Sequence, residues 1–332
     1  MRTLAIIGGG GWGTALSIVL APRFERVRLW VYEQDLAATL RLRRENELYL
    51  PGVRVPDKVE ITTDYAEALA DADIVLGAMP SHHARRLYAE MLPYLTPSML
   101  LVSATKGLEQ GTLLRMSQVI RAVVGERFHP SVAVLSGPTF APEIARGEPA
   151  AVVVASDNET FARTIQVAFS GPTFRLYTNS DPVGVEIGAA VKNVIAIAAG
   201  VCRGLGLGSN TVAALITRGL AEITRLAVAL GGQSRTLAGL AGLGDLVLTC
   251  TGELSRNRSV GVRLGRGEKL EEILASMRTV AEGIRTTDAT VELARRYGVE
   301  MPITQQMYQM LRQGKPPREA IRELMERSLK PE

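Results

Sequence analysis

Near its N-terminus the chain reads Ile6-Ile7-Gly8-Gly9-Gly10-Gly11-Trp12-Gly13-Thr14-Ala15-Leu16, directly after a short apolar run. Gly8, Gly10 and Gly13 have the spacing G-x-G-x-x-G. Glycines at this spacing allow a tight turn, let the backbone approach a pyrophosphate and bring a helix close to a strand. The phosphates then lie at the N-terminus of that helix. The stretch predicts a dinucleotide-binding turn. The alternative is a glycine-rich turn without a ligand.

A second predicted strand, at residues 27–32, ends immediately before Glu33, about 20 residues beyond Gly13. A carboxylate at that distance binds the ribose hydroxyls of NAD and repels the additional phosphate of NADP. Glu33 therefore predicts NAD(H) as the preferred cofactor, with NADP(H) as the alternative.

The pattern of apolar residues changes near residue 180. Before it, short β-branched runs alternate with helical patterns, which is typical of a mainly parallel sheet covered on both faces. Strands are predicted at 4–7, 27–32, 74–78, 100–103, 132–135 and 151–155, and helices at 12–20, 35–44, 87–92, 113–124 and 161–169. Afterwards only helical periodicity remains, at 185–202, 211–230, 287–297, 304–313 and 317–329. We expect an α/β fold, with a Rossmann-like sheet domain at 1–180 and an all-helical domain at 181–332.

Composition limits the classes of partner. The net charge of +4 is spread over many helices without basic runs, which disfavours nucleic acid and suits a small anionic ligand. Cys202, Cys250 and the three histidines lack metal-ligand spacing, so neither a disulfide nor a metal is expected. Apolar runs are shorter than the roughly 20 residues of a membrane span. These features predict a soluble, cytoplasmic protein without integral membrane association.

Lys192 stands in the apolar segment 188–198, which is typical of a buried helix. Only six of the 38 basic residues are lysine, so the chain otherwise uses arginine for its charge. A desolvated ammonium can lose its proton and a guanidinium cannot, which favours proton transfer as the role of Lys192. The alternative is a lysine whose aliphatic stem lets the ammonium reach water.

Four further segments carry polar residues among glycines. Lys106 and the segment 136–141 each follow a predicted strand, at the sheet edge where open α/β folds bind ligands. Asp245 is the single carboxylate of the apolar segment 239–250. In 255–258, Ser255 can cap a helix and Arg256 offers a planar fork for phosphate oxygens. Taken singly, Lys106 also fits a solvated loop, and Asp245 a helix cap.

Together these segments closely resemble the NAD(P)-dependent glycerol-3-phosphate dehydrogenase family, in its soluble bacterial form. The resemblance covers nearly the whole chain, through GGGGWGTAL, LWVYE, YLPG, ATKGLE, SGPTFAPE, GAAVKNVIAIAAG, NTVAALITRGLAE, GLAGLGDLVLTC, SRNR, VAEG and GVEMPI. It implies an oxidoreductase that interconverts dihydroxyacetone phosphate and sn-glycerol 3-phosphate by hydride transfer and feeds phospholipid synthesis. It also implies a homodimer.

The resemblance assigns roles to individual residues. Lys192 matches the proton acceptor of the oxidative direction, and Lys106 matches the lysine that contacts both substrate and nicotinamide. We count Lys106 and Asp245 with Lys192 as catalytic, because their charges are expected to set the pKa of Lys192. Substrate-binding positions are Lys106, Gly137, Thr139, Lys192, Asn193, Asp245, Thr249, Ser255, Arg256 and Asn257. Cofactor-binding positions are Gly8, Gly10, Gly11, Trp12, Gly13, Tyr32, Glu33, Lys106, Ala141, Arg256, Val280 and Glu282. Many bacterial members carry Arg or His in place of Tyr32, and the pair Tyr32-Glu33 is more similar to NAD-using members.

Two other interpretations fit parts of the sequence. One is another two-domain β-hydroxyacid or 3-hydroxyacyl dehydrogenase, against which the Ser255–Arg256–Asn257 segment favours a phosphorylated substrate. The other is a non-catalytic NAD sensor, which predicts loss of Lys192, Lys106 or Asp245, whereas all three are present.

Overall fold

The computed structural model describes residues 1–277 and 281–329. Its strands in chain order are β1 (Thr3–Ile7), β2 (Arg26–Trp30), β3 (Glu45–Asn46), β4 (Leu50–Arg54), β5 (Val59–Thr62), β6 (Ile74–Gly77), β7 (Leu100–Ser103), β8 (Val132–Ser136), β9 (Ala150–Ala155) and β10 (Phe174–Asn179). Eight of them form one sheet in the order β10-β9-β8-β7-β6-β1-β2-β5, and β3 and β4 form a small antiparallel pair. The main sheet is parallel except that β8 and β9 are antiparallel. The predicted mainly parallel sheet is confirmed.

Seven helices accompany the sheet: α1 (Gly11–Leu20), α2 (Gln34–Arg43), α3 (Tyr65–Leu69), α4 (Ala84–Met91), α5 (Met116–Val124), α6 (Ala141–Ala145) and α7 (Glu159–Phe169). Strand β1 lies between β2 and β6, so the chain crosses to the other side of β1 after β5. In open α/β sheets, ligands bind outside the carboxyl ends of the strands at such a point. The glycine-rich turn after β1 therefore occupies the expected ligand site.

The C-terminal domain is helical, as predicted. Its helices are α8 (Pro182–Gly204), α9 (Ser209–Ala229), α10 (Ser234–Leu237), α11 (Asp245–Thr251), α12 (Arg256–Gly265), α13 (Leu270–Ser276), α14 (Glu282–Tyr297), α15 (Pro302–Gln313) and α16 (Pro317–Met325). A π-helical turn, Leu240–Gly244, leads directly into α11.

Several predicted boundaries were wrong for identifiable backbone reasons. The predicted helix 113–124 begins only at Met116, because Leu113 has a left-handed backbone with φ of 63°. The predicted helix 35–44 ends at Arg43, because Arg44 is left-handed with φ of 54°. Strands β3, β4, β5 and β10 were not predicted.

Helix α8 is longer than predicted and forms the core of the helical domain. By length and composition it could cross a membrane, contrary to the expectation from the sequence, but its most apolar window is entirely buried in the protein. Residues from Gly184 to Cys202 are all buried, and α9, α11, α12 and α14 pack around them. Any polar group on α8 is therefore enclosed by protein and requires a partner.

Glycines bring α8 and α12 into backbone contact. A Cβ atom placed on Gly261 of α12 would collide with the carbonyl oxygen of Ile197, and one placed on Gly200 of α8 would collide with that of Arg258. Such contacts allow a shorter interhelical distance than side chains would permit. This close approach sets the first turn of α12 beside the middle of α8, which carries Lys192 and Asn193.

The substitution Gly261→Ala tests this contact. We expect a loss of about 1–3 kcal/mol in the free energy of unfolding, because the added methyl group forces the two backbones apart. The control is Gly208→Ala, at a position where no atom of the described residues lies within 4 Å of the added Cβ. Urea unfolding midpoints measure both, and equal midpoints would contradict close α8–α12 packing.

Candidate active site

The glycine-rich turn has the geometry that its spacing predicts. Gly8 has a φ of +126°, and a Cβ there would lie 2.8 Å from the carbonyl oxygen of Ala78. A Cβ on Gly13 would collide with the carbonyl oxygen of Gly8, so this glycine permits close packing of α1 on β1. Gly10 borders open space, since none of the described atoms lies within 4 Å of a Cβ placed on it. The turn therefore leaves room for a ligand beside Gly10.

Polar groups at this turn lack partners among the residues that the structure describes. Helix α1 begins at Gly11, and the N–H groups of its first turn have no acceptor within the helix. In the described part of the chain, the buried indole N–H of Trp12 has no acceptor either. Ala141, the first residue of α6, lies beside the turn, with its Cβ 3.9 Å from a Cβ placed on Gly11. These groups fit a pyrophosphate, as NAD(P) binding requires.

Glu33 and Tyr32 follow β2, at the position predicted for the cofactor ribose. Glu33 Oε1 accepts a hydrogen bond of 2.9 Å from the hydroxyl of Tyr49. Tyr32 is 60% exposed, and the Arg86 guanidinium lies 5.3 Å from the centroid of its ring. Arg86 also donates a hydrogen bond of 2.8 Å to Glu90, and the negative charge of Glu90 compensates that of the guanidinium. Sequence analysis did not identify Tyr49 or Arg86, because both come from other elements.

Two lysines and one carboxylate meet between the two domains. Lys192 Nζ donates to Asp245 Oδ1 at 2.7 Å, and Lys106 Nζ donates to Asp245 Oδ2 at 2.9 Å. Lys106 comes from the loop after β7, Lys192 from α8 and Asp245 from the start of α11. The Asp245 side chain is 1% exposed and that of Lys192 is 6% exposed. The ammonium of Lys192 therefore does not reach bulk water. This excludes the alternative in which the aliphatic stem lets the ammonium reach water.

The remaining hydrogen bonds distinguish the two lysines. Lys106 Nζ also donates to the Gly137 carbonyl at 3.0 Å and to Thr139 Oγ1 at 3.3 Å, which uses all three of its N–H groups. Lys192 Nζ also donates to Thr249 Oγ1 at 2.7 Å, and that hydroxyl donates to the Asp245 carbonyl oxygen. Among the described residues, the third N–H of Lys192 has no acceptor. This N–H is available to a ligand.

The pKa of Lys192 is lowered to about 8, chiefly because burial removes the hydration of the ammonium. Asp245 opposes this fall in pKa, and the nearby Lys106 contributes to it. Since this value lies near neutrality, both protonation states of Lys192 are accessible. That property suits a general acid and base.

The segment 255–257 lies at the N-terminus of α12, next to this cluster. Ser255 caps the helix as predicted, with its Oγ accepting from the backbone N–H of Arg258 at 3.2 Å. Asn257 Nδ2 donates to Asn193 Oδ1 at 3.0 Å, so α12 is tied to the residue after Lys192. Arg256 is exposed and forms no hydrogen bond with the residues that the structure describes. Its guanidinium interacts electrostatically with Glu282 and keeps its N–H groups available for an anion.

Glu282, a predicted cofactor residue, bridges the two domains. Its Oε2 accepts a hydrogen bond of 2.8 Å from the Ser81 hydroxyl, which follows β6. Burial raises the pKa of Glu282, and Ser81 and Arg256 oppose that rise. The preceding predicted residue, Val280, lies outside the described residues. Ser81 was missed by sequence analysis, although its position after a central strand was a usable signal.

Within residues 1–277 and 281–329, no group of three or more His, Cys, Asp and Glu side chains could hold a metal ion. Cys202 and Cys250 are buried free thiols.

Comparison with known proteins gives consistent matches over the full length. The family model for the NAD-dependent glycerol-3-phosphate dehydrogenase N-terminus matches residues 3–162, and that for its C-terminus matches residues 181–322. A glycerol-3-phosphate dehydrogenase (NAD(P)+) of Koribacter versatilis is 60% identical over 98% of both chains. One from Geobacter sp. strain M21 is 53% identical over 99% of this chain and 98% of its own. The crystal structure of glycerol-3-phosphate dehydrogenase from Coxiella burnetii is 40% identical, with a TM-score of 0.94 over 98% of this chain and 99% of that chain.

Proposed function

The chain belongs to the NAD-dependent glycerol-3-phosphate dehydrogenase family, and we propose that the Lys192–Asp245–Lys106 cluster is the catalytic centre of its reaction. Its activity is the NAD(P)-dependent interconversion of dihydroxyacetone phosphate and sn-glycerol 3-phosphate. Family membership sets aside the other hydroxyacid dehydrogenases and the non-catalytic sensor. The observation that carries the assignment of roles is the asymmetry between the lysines: Lys106 uses its three N–H groups within the protein, and Lys192 retains one.

In the reductive direction, bound NADH supplies the hydride that reduces the ketone carbon. Negative charge then develops on the carbonyl oxygen as its π bond breaks. The free N–H of Lys192 donates a hydrogen bond to that oxygen and afterwards transfers its proton to it. A positioned acid of this kind contributes roughly 100- to 10,000-fold to the rate.

The oxidative direction requires the opposite protonation state. A neutral Lys192 accepts the proton of the substrate hydroxyl as the carbon loses its hydride. Because its pKa is lowered to about 8, the neutral form is present near neutral pH. Asp245 keeps the protonated form accessible, since its carboxylate stabilises the ammonium. Lys106 contributes a positive charge that favours the neutral form of Lys192. The Gly137 carbonyl and Thr139 hold its ammonium at the edge of the sheet where we propose that the substrate binds.

The phosphate of the substrate binds at the start of α12 in this proposal. Arg256 contributes its guanidinium, which donates no hydrogen bond to the described residues, and the N-terminal N–H groups of α12 add to the positive potential. Asn193 and Asn257 hold this helix end at a fixed distance from Lys192. Binding the remote phosphate there orients the reacting carbon, so part of the binding energy lowers the barrier to reaction.

We assign the remaining predicted residues accordingly. Gly8, Gly10, Gly11, Trp12 and Gly13 bind the pyrophosphate, and Tyr32 and Glu33 the adenosine half, with NAD(H) preferred because Glu33 repels a 2′-phosphate. Ala141 and Glu282 flank the cofactor. The domain boundary is placed at residue 180, between β10 and α8.

The family resemblance supports three further proposals: a homodimer, a cytoplasmic location and supply of glycerol 3-phosphate to phospholipid synthesis. Sedimentation equilibrium tests the first, because a dimer has twice the chain mass of 35.8 kDa. A species of the single-chain mass at micromolar concentration would contradict it.

Lys192→Met tests the proposed proton donor. Methionine keeps a similar shape but has no proton to transfer, so we expect kcat for dihydroxyacetone phosphate reduction to fall about 100- to 10,000-fold. The affinity for NADH, measured by fluorescence titration, should stay within about threefold of wild type. The matched control is Lys58→Met, on the exposed surface. A Lys192→Met enzyme within tenfold of wild-type kcat would remove Lys192 from this role.

Arg256→Ala tests phosphate recognition. Loss of one charge-assisted contact corresponds to about 1.5–3 kcal/mol, or roughly a 10- to 150-fold rise in KM for dihydroxyacetone phosphate. The KM for unphosphorylated dihydroxyacetone should change far less. Arg266→Ala, which removes an exposed arginine near the other end of α12, is the control. Equal effects of Arg256→Ala on both substrates would argue against a phosphate contact.

A further inference from the structure

The YLPG segment of the sequence lies directly on the dinucleotide-binding turn. After α2, the chain forms the small β3–β4 pair, whose connection carries Tyr49. A Cβ placed on Gly11 would lie 2.7 Å from the carbonyl oxygen of Tyr49. The segment therefore packs against the start of α1, although it belongs to the second βαβ crossover.

Asn46 forms the polar connection between this segment and the turn. Its Nδ2 donates to the Gly9 carbonyl at 2.9 Å and to Thr14 Oγ1 at 2.8 Å. Its Oδ1 accepts from the backbone N–H of Tyr49 at 3.0 Å. Asn46 is fully buried, and so is Thr14. A fully buried amide with three such contacts has one fixed orientation, because a flipped amide would place like groups against each other.

The bond to Gly9 sets the direction of the next amide. In a trans peptide, the carbonyl and the following N–H point to opposite sides. With the Gly9 carbonyl directed at Asn46, the N–H of Gly10 points away from Asn46. Gly10 is the glycine that borders open space. Asn46 thus directs a backbone donor of the turn towards the predicted position of the pyrophosphate.

The bond to Tyr49 extends the same restraint to the ribose end. Asn46 fixes the backbone of Tyr49, and the Tyr49 hydroxyl donates to Glu33 Oε1 at 2.9 Å. Glu33 is the first residue before α2, and its side chain does not cap that helix. Tyr49 is therefore the hydrogen-bond donor that orients this carboxylate.

We propose that Asn46 is a positioning residue for the dinucleotide, which orients the pyrophosphate-binding turn directly and the ribose-binding carboxylate of Glu33 through Tyr49. The proposal rests on the proposed function, because it assumes that NADH binds at this turn. It goes beyond that function in naming the residue that makes the two recognition elements act together.

Asn46→Asp is the most direct test, because it keeps the shape and replaces the donor with an acceptor facing the Gly9 carbonyl. We expect the Kd for NADH, measured on the enzyme alone by quenching of tryptophan fluorescence, to rise at least tenfold. The KM for dihydroxyacetone phosphate at saturating NADH should stay within twofold. A purely structural role would lower the folded fraction and leave the Kd of the folded enzyme unchanged.

Ser156→Ala is the matched control. Ser156 is another buried polar residue of the sheet domain, whose hydroxyl donates to the Val132 carbonyl and accepts from the Asn158 N–H. It links the segment after β9 to the start of β8, towards the opposite end of the sheet from β2. We expect its NADH affinity to match wild type. Equal NADH affinities of Asn46→Asp and Ser156→Ala would overturn the proposal.

Tyr49→Phe keeps the proposal testable if Asn46→Asp does not fold. We expect the ratio of the NADPH Kd to the NADH Kd to fall at least threefold, because Glu33 loses its orienting donor. In a Glu33→Gln background the same change should alter that ratio less than twofold, since Tyr49 acts through the Glu33 carboxylate. An unchanged ratio in Tyr49→Phe would overturn the proposed connection from Asn46 through Tyr49 to Glu33.

The proposed function has a separate test. A wild-type enzyme that binds NADH but does not oxidise it with dihydroxyacetone phosphate would contradict the proposed function and not the role of Asn46.

Discussion

The Asp245 carboxylate holds two ammonium groups that come from the two domains. Lys192 contacts one of its oxygens and Lys106 the other, and the carboxylate is almost completely buried. A buried carboxylate is stable only when its charge is compensated and hydrogen-bonded. Here the compensation requires both domains, so this cluster of three charged groups exists only when they are packed together. Two cations around one anion leave a net positive charge, which complements an anionic phosphoester.

Helix α8 provides the buried environment that changes the pKa of Lys192 in this cluster. Because the helix is enclosed by protein, the Lys192 ammonium is poorly hydrated and its pKa falls to about 8. Close glycine contacts between α8 and α12 bring Arg256 to the same region. Asn257 then links Asn193 to the N–H of Gly283 at the start of α14, which also carries Glu282. One helix crossing thus relates Lys192, the proposed phosphate site and Glu282.

The sequence allowed prediction of the fold class, the glycine turn and the three residues that the structure brings together at Asp245, because each has a local signal. A lysine in an apolar helix and a carboxylate in an apolar segment are unusual enough to identify without coordinates. The sequence could not show that Asp245 joins Lys192 to Lys106, since more than 50 residues separate neighbouring members of that group. Nor could it show which lysine keeps a free N–H, because that depends on the Gly137 carbonyl and Thr139. The role of Asn46 was also not predicted, because an asparagine after a helix carries no distinctive signal until its hydrogen-bond partners are known.

The most direct test of the account is the pH dependence of kcat for dihydroxyacetone phosphate reduction in wild type and two variants. In the proposed mechanism reduction requires protonated Lys192, so wild-type kcat should fall as the pH rises through about 8. Lys106→Met removes a cation that lowers the pKa of Lys192, so its residual activity should fall at a higher pH. Asp245→Asn removes the carboxylate that raises this pKa, so its residual activity should fall at a lower pH. A decline at the same pH in all three enzymes would contradict the central role of the shared carboxylate.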